Sequence, residues 1–335
     1  MNPTLLTLFP GIACAHRDAE GHVAAGSYGF ADREAGIAAD AHTIFPACSI
    51  SKFITALCLM KLLEQGLLCL DDPVNRHLSQ WKLRRPDGSL STASIRALMC
   101  HTAGIMDGED AFYGLRQGDT APSLLDLLNG TTAYNNRPAQ ENTPHGETFE
   151  YTDAGYCVLQ LLIEEVTHKP FAQAAQEMIF APLGLTNTFF GTSENTARFE
   201  ARMATGYDGE NRPLDGRFPL RPDLAASGLY CTAKDLLTLT AEFVAAYHGT
   251  SAFLTVDSAR AIAAPAEKFP WTGHGVFREG DDILLSQGWG EDGQCMLKMH
   301  LRTGAIAVVM TNRNPEMDQK ESGIEELADQ LLQKQ

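Results

Sequence analysis

Positive charge is scarce in this 335-residue chain: Lys and Arg number 26 and Asp and Glu 42, so the net charge is 26 − 42 = −16. Nucleic acid and anionic membrane surfaces both require basic patches, so neither is an expected partner. No run of 18 apolar residues occurs, which argues against a transmembrane helix. The first ten residues lack a basic n-region and a full apolar core, so no secretory leader is expected there, and a cytoplasmic location follows as the expectation. None of the eight cysteines forms a C-x-x-C pair. They read as reduced, buried, small hydrophobes of a cytosol-like compartment. The ten histidines show neither H-x-x-x-H spacing nor clustering with cysteine, so neither a metal nor another cofactor is expected. Internal repeats are absent. What is present is ordinary for a globular chain, with 44% apolar and 20% charged residues. The length suits one large or two modest domains.

One stretch carries chemistry. Ser49-Ile50-Ser51-Lys52 runs into Phe53-Ile54-Thr55-Ala56-Leu57-Cys58-Leu59-Met60, which is apolar on nearly every side and ends at Gly66. This predicts a buried helix opened by Ser49. Residues i and i+3 share a helix face, so the Ser49 hydroxyl and the Lys52 amine can meet. Burial disfavours the ammonium and lowers a Lys pKa from about 10.4. A neutral amine beside a hydroxyl can take its proton and make a nucleophile. The plain alternative is an N-cap serine followed by a solvated lysine. The same spacing recurs at Ser79-Gln80-Trp81-Lys82, but a polar run follows and no long helix, so that copy reads as chance. Cys48, beside Ser49, reads as packing.

Gly11–Ala15 and His22–Gly26 flank Asp18-Ala19-Glu20-Gly21 as a hairpin. Residues 29–40 read as loop. Asp71-Asp72-Pro73 caps a short helix, further helices are expected near 94–99, 123–128, 153–166, 170–180, 233–248, 256–263 and 324–333, and residues 186–224 read mostly as loop. Strands are expected at 275–278, 282–286, 294–301 and 305–311, and their short connections imply antiparallel pairing. Strands at both ends and helices between them give an α+β fold. An antiparallel sheet subdomain is expected from residues 1–45 and 225–335, with a helical subdomain from 46–224. Gly288-Trp289-Gly290-Glu291-Asp292-Gly293 matches G-x-G-x-x-G, but a strand follows where a dinucleotide site needs a helix, so it is a decoy.

Three segments together resemble the serine β-lactamase and penicillin-binding-protein superfamily, in particular class C-like serine hydrolases and esterases. They are Phe45–Lys52 with Leu63-Glu64-Gln65-Gly66 and Leu70-Asp71-Asp72-Pro73-Val74; Tyr151-Thr152-Asp153, which is similar to a Y-x-N box; and Ser286-Gln287-Gly288-Trp289, where relatives carry K-T-G or H-x-G. His101-Thr102-Ala103-Gly104 and Ser227–Leu236 add to the likeness, which runs from about residue 10 to about 315. The resemblance implies the β-lactamase/DD-peptidase-like fold. It also implies that Ser49 attacks a carbonyl to form an acyl-enzyme, with Lys52 and Tyr151 as acid/base groups. The backbone N–H groups of Ser49 and Trp289 would form the oxyanion hole, and Asp153, Ser286, Gln287 and Gly288 would line the substrate site. Taken alone, Tyr151 reads as a core-packing aromatic, Asp153 as an N-cap and His101 as structural.

Two departures shape the expectation. Asp153 stands where the family has Asn, and an acid near Lys52 favours the charged amine. Ser286 stands where a cation is usual, which disfavours anionic β-lactams; Arg313 is a candidate cation near that sheet end. The first expectation is a serine hydrolase of esters or small amides, with a small-molecule or peptide substrate. The alternatives are a β-lactamase or D-Ala-D-Ala carboxypeptidase, and a catalytically idle binding protein of the same fold. Substrate choice is expected from the loops at 105–150 and 186–224.

Overall fold

The computed structural model describes residues 3–333. Met1 and Asn2, where the reading of a leader begins, lie outside the described residues, as do Lys334 and Gln335.

The chain opens with α1 (Pro3–Leu8), then β1 (Gly11–Arg17), β2 (Val23–Asp32) and β3 (Ile37–Ala38). β4 (Phe45–Cys48) leads through a two-residue turn into α2 (Ser51–Glu64). The middle holds α3 (Ile95–Met99), α4 (Leu124–Asn129), α5 (Asp153–Thr167) and α6 (Phe171–Ala175), with a π-helical turn over Gln176–Phe180. β5 (Thr188–Phe190), α7 (Ser193–Phe199), α8 (Leu224–Ser227), β6 (Leu229–Cys231), α9 (Ala233–Tyr247) and α10 (Val256–Ala263) follow. β7 (Phe277–Glu279), β8 (Ile283–Gly290), β9 (Gly293–His300), β10 (Ile306–Thr311) and α11 (Ile324–Leu332) close the chain.

The main sheet has seven strands in the order β3-β2-β1-β10-β9-β8-β7, all antiparallel. Chain ends meet where β1 pairs with β10, Ile12 opposite Thr311 and Arg17 opposite Ile306. Both faces of the central strands are covered, so β10 runs apolar from Ile306 to Met310 yet its residues alternate between two cores. Ala13, Ala15, Ile306, Val308 and Met310 face the main core, which includes α2 and α9. Ile12, Cys14, Ala307 and Val309 face a second core closed by α1 and α11. β4, β6 and β5 form a small antiparallel sheet in that order.

α2 is the hub. Eleven of its residues are buried, from Ser51 to Leu62, because α5, α6, α8 and α10 surround it. Phe53 sits inside, its ring edge-to-face with Phe243 of α9 at 5.2 Å between centroids.

Several boundaries differ from the sequence expectation. Helix α2 begins at Ser51, so Ser49 lies in the turn before it rather than opening it. Residues 29–40 are not all loop, since β2 runs to Asp32 and β3 adds a short pair. The 186–224 segment carries β5 and α7, whose three and seven residues show no readable period; β5 exists because Phe189 pairs with the distant Tyr230. The N-cap of α5 is Thr152, whose hydroxyl accepts from the Gly155 N–H, and Asp153 is the first helical residue. Seven cysteines are buried, but Cys69 is exposed in the loop after α2, and all eight are free thiols. The G-x-G-x-x-G decoy is the β8–β9 hairpin, with Gly290 opposite Gly293.

Replacing Phe53 by Ala should cost about 3–5 kcal/mol, the usual range for a buried aromatic. Urea unfolding of the variant should show a lowered midpoint at an unchanged slope; an unaltered midpoint would remove α2 from the centre of the core.

Candidate active site

The turn between β4 and α2 is built to present Ser49. Cys48 takes a left-handed conformation, φ +48°, which turns the chain sharply out of the strand. Ser51 then ties the turn down: its hydroxyl donates to the Cys48 carbonyl at 2.6 Å and accepts from the Leu229 N–H at 2.9 Å. Ser49 is left half-buried with its hydroxyl free to face Lys52.

Lys52 is only 3% exposed. Its Nζ donates to Ser49 Oγ at 3.1 Å, to Asp153 Oδ1 at 2.5 Å and to the Ala226 carbonyl at 3.0 Å. All three ammonium protons therefore have acceptors. The ammonium also lies 4.7 Å from the ring centre of Tyr151 and 5.5 Å from that of Tyr156. Burial pulls the Lys52 pKa down, but the charge of Asp153, then Tyr151, and hydrogen bonds to both outweigh it and hold the amine above its ordinary range. The expectation of a burial-lowered amine is thus reversed, while the expected effect of an acid at position 153 is the one found.

Tyr151 precedes α5 by two residues and is 43% exposed as a residue, so it is no core-packing aromatic. Its hydroxyl end is enclosed and bonds toward Lys52 and Ser49; burial and then Asp153 push its pKa up, against the pull of Lys52. His101, in a left-handed conformation with φ +58°, stacks on the Tyr151 ring at 4.4 Å. Its Nδ1 accepts from the Thr152 N–H at 3.2 Å, which assigns the ring proton to Nε2. Burial, then the neighbouring ammonium, hold this imidazole neutral far below its usual pKa, in keeping with a structural histidine.

The third wall is β8. Ser286 and Gln287 line the cleft together with Ser49, Lys52, His101 and Tyr151, and the 275–277 loop closes it with Phe277. The free space is small, about 10 Å³, room for roughly one water. Gly288 and Gly290 let β8 press against β4. A Cβ on Gly288 would stand 2.1 Å from Cys295 Sγ and 2.4 Å from the Ala47 carbonyl oxygen. One on Gly290 would stand 2.7 Å from Cys48 Sγ. The 288–290 backbone, with Trp289 between the two glycines, therefore crosses the residues that lead into Ser49.

A family model described as Beta-lactamase matches residues 7–332. The chain belongs to the β-lactamase family. Among curated relatives, Esterase EstB of Burkholderia gladioli is 32% identical over 200 residues, covering 56% of this chain and 47% of that protein. Protein flp of Staphylococcus aureus strain MRSA252 is 28% identical over 174 residues, covering 52% of this chain and 33% of that protein. The alignments thus span less than half the length of these relatives. Among solved structures, D-amino acid amidase of Ochrobactrum anthropi SV3 in complex with L-phenylalanine amide matches at TM-score 0.79 and 22% identity, covering 99% of this chain and 95% of that one. An octameric penicillin-binding protein homologue of Pyrococcus abyssi matches at TM-score 0.79 and 22% identity, covering 98% and 75%. These likenesses show the β-lactamase/penicillin-binding-protein fold.

Within this family frame, the structure brings Ser49, Lys52, Tyr151, Asp153, Ser286 and Gln287 to one cleft. It does not bring Arg313 there: that guanidinium donates to the carbonyls of Leu8, Asp208 and Gly209. Lys82, of the chance second copy, donates to the Asn75 and Leu78 carbonyls. Lys52 is the only Lys or Arg among the described residues that line the cleft. Asp107 was missed: its carboxylate accepts from Thr152 Oγ1 and from the N–H groups of Asp153 and Ala154. Phe277 was missed as a cleft wall. Neither has a local signal, since each reaches the site only through tertiary contact. Among the described residues one cluster could hold a metal, Asp18, Glu20 and His22, on the β1–β2 turn away from the cleft. Again among the described residues, no helix is long and apolar enough to cross a membrane.

Gly288→Ala should destabilise the fold by about 1–3 kcal/mol, since the added methyl overlaps backbone oxygen that cannot swing away. Thermal unfolding would register this; a variant as stable as the parent would mean that β8 is not held against β4.

Proposed function

We propose that the protein is a serine hydrolase that cleaves an uncharged ester or small amide through an acyl-enzyme on Ser49. The observation that carries this reading is the 3.1 Å contact between Ser49 Oγ and a fully enclosed Lys52 Nζ, with the Tyr151 hydroxyl directed at both. Ser49 Oγ forms the bond to the substrate carbonyl carbon. Its proton passes to the Lys52–Tyr151 pair, and the same pair returns a proton to the departing alcohol or amine. Water then attacks the acyl-enzyme by the reverse sequence. The N–H groups of Ser49 and Trp289 are the proposed donors to the oxyanion, and losing one such donor commonly costs about 10²–10³ in rate.

Esters are favoured over β-lactams by the charge of the cleft. Ser286 offers a hydroxyl where an anionic substrate needs a cation, and the single ammonium present is already shared with Asp153. Esterase EstB supports the same preference by its name. The narrow opening between Tyr151, Phe277 and β8 favours a small acyl group.

Incubation with a fluorophosphonate followed by intact-mass analysis should give one adduct on the wild type and none on Ser49→Ala. No adduct on a folded wild type would favour the idle binding protein, and rapid turnover of a cephalosporin would favour the β-lactamase alternative.

A pH profile tests the proton path. Both groups that can take the Ser49 proton are held above their ordinary pKa values, Lys52 by Asp153 and Tyr151 by burial. The base form of a group with a raised pKa is scarce below that pKa. kcat/KM for a neutral ester should therefore climb from pH 7 through pH 9 without a plateau. A plateau reached below pH 7 would show that neither residue is the base.

A further inference from the structure

The start of helix α5 and the two residues before it deliver Tyr151 and Asp153 to the site, and something must hold that turn in place. Three consecutive residues there, Thr152, Asp153 and Ala154, hydrogen-bond to one side chain. Asp107 Oδ1 accepts from Thr152 Oγ1 at 2.5 Å and from the Ala154 N–H at 3.0 Å, while Oδ2 accepts from the Asp153 N–H at 2.6 Å. Thr152 itself satisfies the Gly155 N–H. The first N–H groups of a helix have no partner within it, and here a carboxylate from another segment accepts from two of them. The same segment, 101–107, grips the other side of the turn: His101 stacks on Tyr151 and its carbonyl accepts from the Glu150 N–H at 2.9 Å.

From this geometry we infer that Asp107 is a positioning residue: it fixes the Tyr151–Thr152–Asp153 turn against Lys52, and its negative charge, one residue removed from the ammonium, sets how tightly Lys52 keeps its proton. The inference builds on the proposed role of Lys52 and Ser49. Asp107 does not line the cleft and touches no atom that would react.

The charged and titratable groups around it are few. Asp153 and Cys157 face it from α5, and Arg137 donates to its backbone carbonyl. Beyond Asp153 stand Lys52 on α2 and Asp223, the residue before α8. Asp107 and Asp223 thus both face Asp153, the carboxylate paired with the ammonium, and the Arg221 guanidinium offsets Asp223. Burial and then the neighbouring Asp153 raise the Asp107 carboxyl to about 6, in line with a charge held close to another of the same sign.

Asp107→Asn separates position from charge, because Asn still caps a helix while losing the negative charge. Fluorophosphonate labelling of Ser49 near pH 7 should slow by about 10- to 100-fold in Asp107→Ala, which loses the acceptor atoms as well, the scale of a displaced catalytic group. In Asp107→Asn the limb rising with pH should move to lower pH, since removing a negative neighbour releases the proton of Lys52 more readily. An unchanged rate in Asp107→Ala, or in Asp107→Asn an unmoved limb or a loss by the same factor at every pH, would overturn the inference, because a merely less stable fold scales all rates alike. Carbon-13 titration of the Asp107 carboxyl, assigned with Asp107→Asn, gives a readout without any reaction. Its midpoint, raised to about 6 by burial and then Asp153, should fall in Asp153→Asn, and an unmoved midpoint also overturns the inference. If the wild type takes no label but that midpoint falls, the hydrolase reading fails and the positioning role of Asp107 stands.

Discussion

A lysine ammonium taken almost wholly out of water is the constraint around which the rest is arranged. Removing an ion from water costs several kcal/mol even after relaxation, and only good geometry offsets it. Here the offset comes from three acceptors on three different parts of the chain: Ser49 before α2, Asp153 at the start of α5 and Ala226 in α8. Each must be placed by its own element. The left-handed Cys48 and the Ser51 hydroxyl set Ser49, the Asp107 and Thr152 caps set Asp153, and the packing of α8 between α2 and α5 sets Ala226. The buried charge therefore ties the sheet side of the molecule to its helical side at the point where the proposed reaction occurs.

Close approach is the second condition. β8 can reach the Ser49 turn only because positions 288 and 290 carry no side chain, and Cys295, across the ladder from Gly288, is small enough to donate its thiol to the Ala47 carbonyl. The glycines that mimic a nucleotide-binding signature thus have a steric reason of a different kind. Gly275 does the same on the opposite wall, where a Cβ would stand 2.7 Å from the Lys52 carbonyl oxygen. A cleft this tight keeps bulk water from Lys52, which strengthens the ion pair it makes with Asp153.

The sequence exposes these features unevenly, for physical reasons. Ser49 and Lys52 are legible because three residues of spacing and one apolar helix carry the signal locally. The long helices and the four C-terminal strands are legible from period and from short connections. The 153–166 expectation, for example, falls within one residue of α5, and 256–263 coincides with α10. β5 is not legible, because a three-residue strand is defined by its partner, not by its pattern. Asp107 and Phe277 are not legible for the same reason: nothing within their own turns of chain tells where those turns will pack. The direction of the Lys52 shift could be read only halfway. Burial was visible in the apolar helix, but that Asp153 overrides it depends on a 2.5 Å distance that no spacing encodes.

The two departures from the family pattern prove to be one electrostatic arrangement. Asp153 adds a negative charge beside Lys52, and Ser286 omits a positive one from β8. The ammonium is shared between Asp153 and Ser49, and the cleft presents no unshared cation among its described lining residues. A substrate carboxylate entering there would lose water without gaining a partner, a cost of several kcal/mol that a neutral acyl group does not meet. In the proposed reaction the Asp153 carboxylate keeps Lys52 charged and so slows proton removal from Ser49. A carbonyl that enters as a neutral group and becomes an oxyanion would meet the opposite balance, because the ammonium already donates to Ser49. Lys52 would then be worth more to the charged intermediate than to the uncharged substrate, and such a difference is what accelerates a reaction.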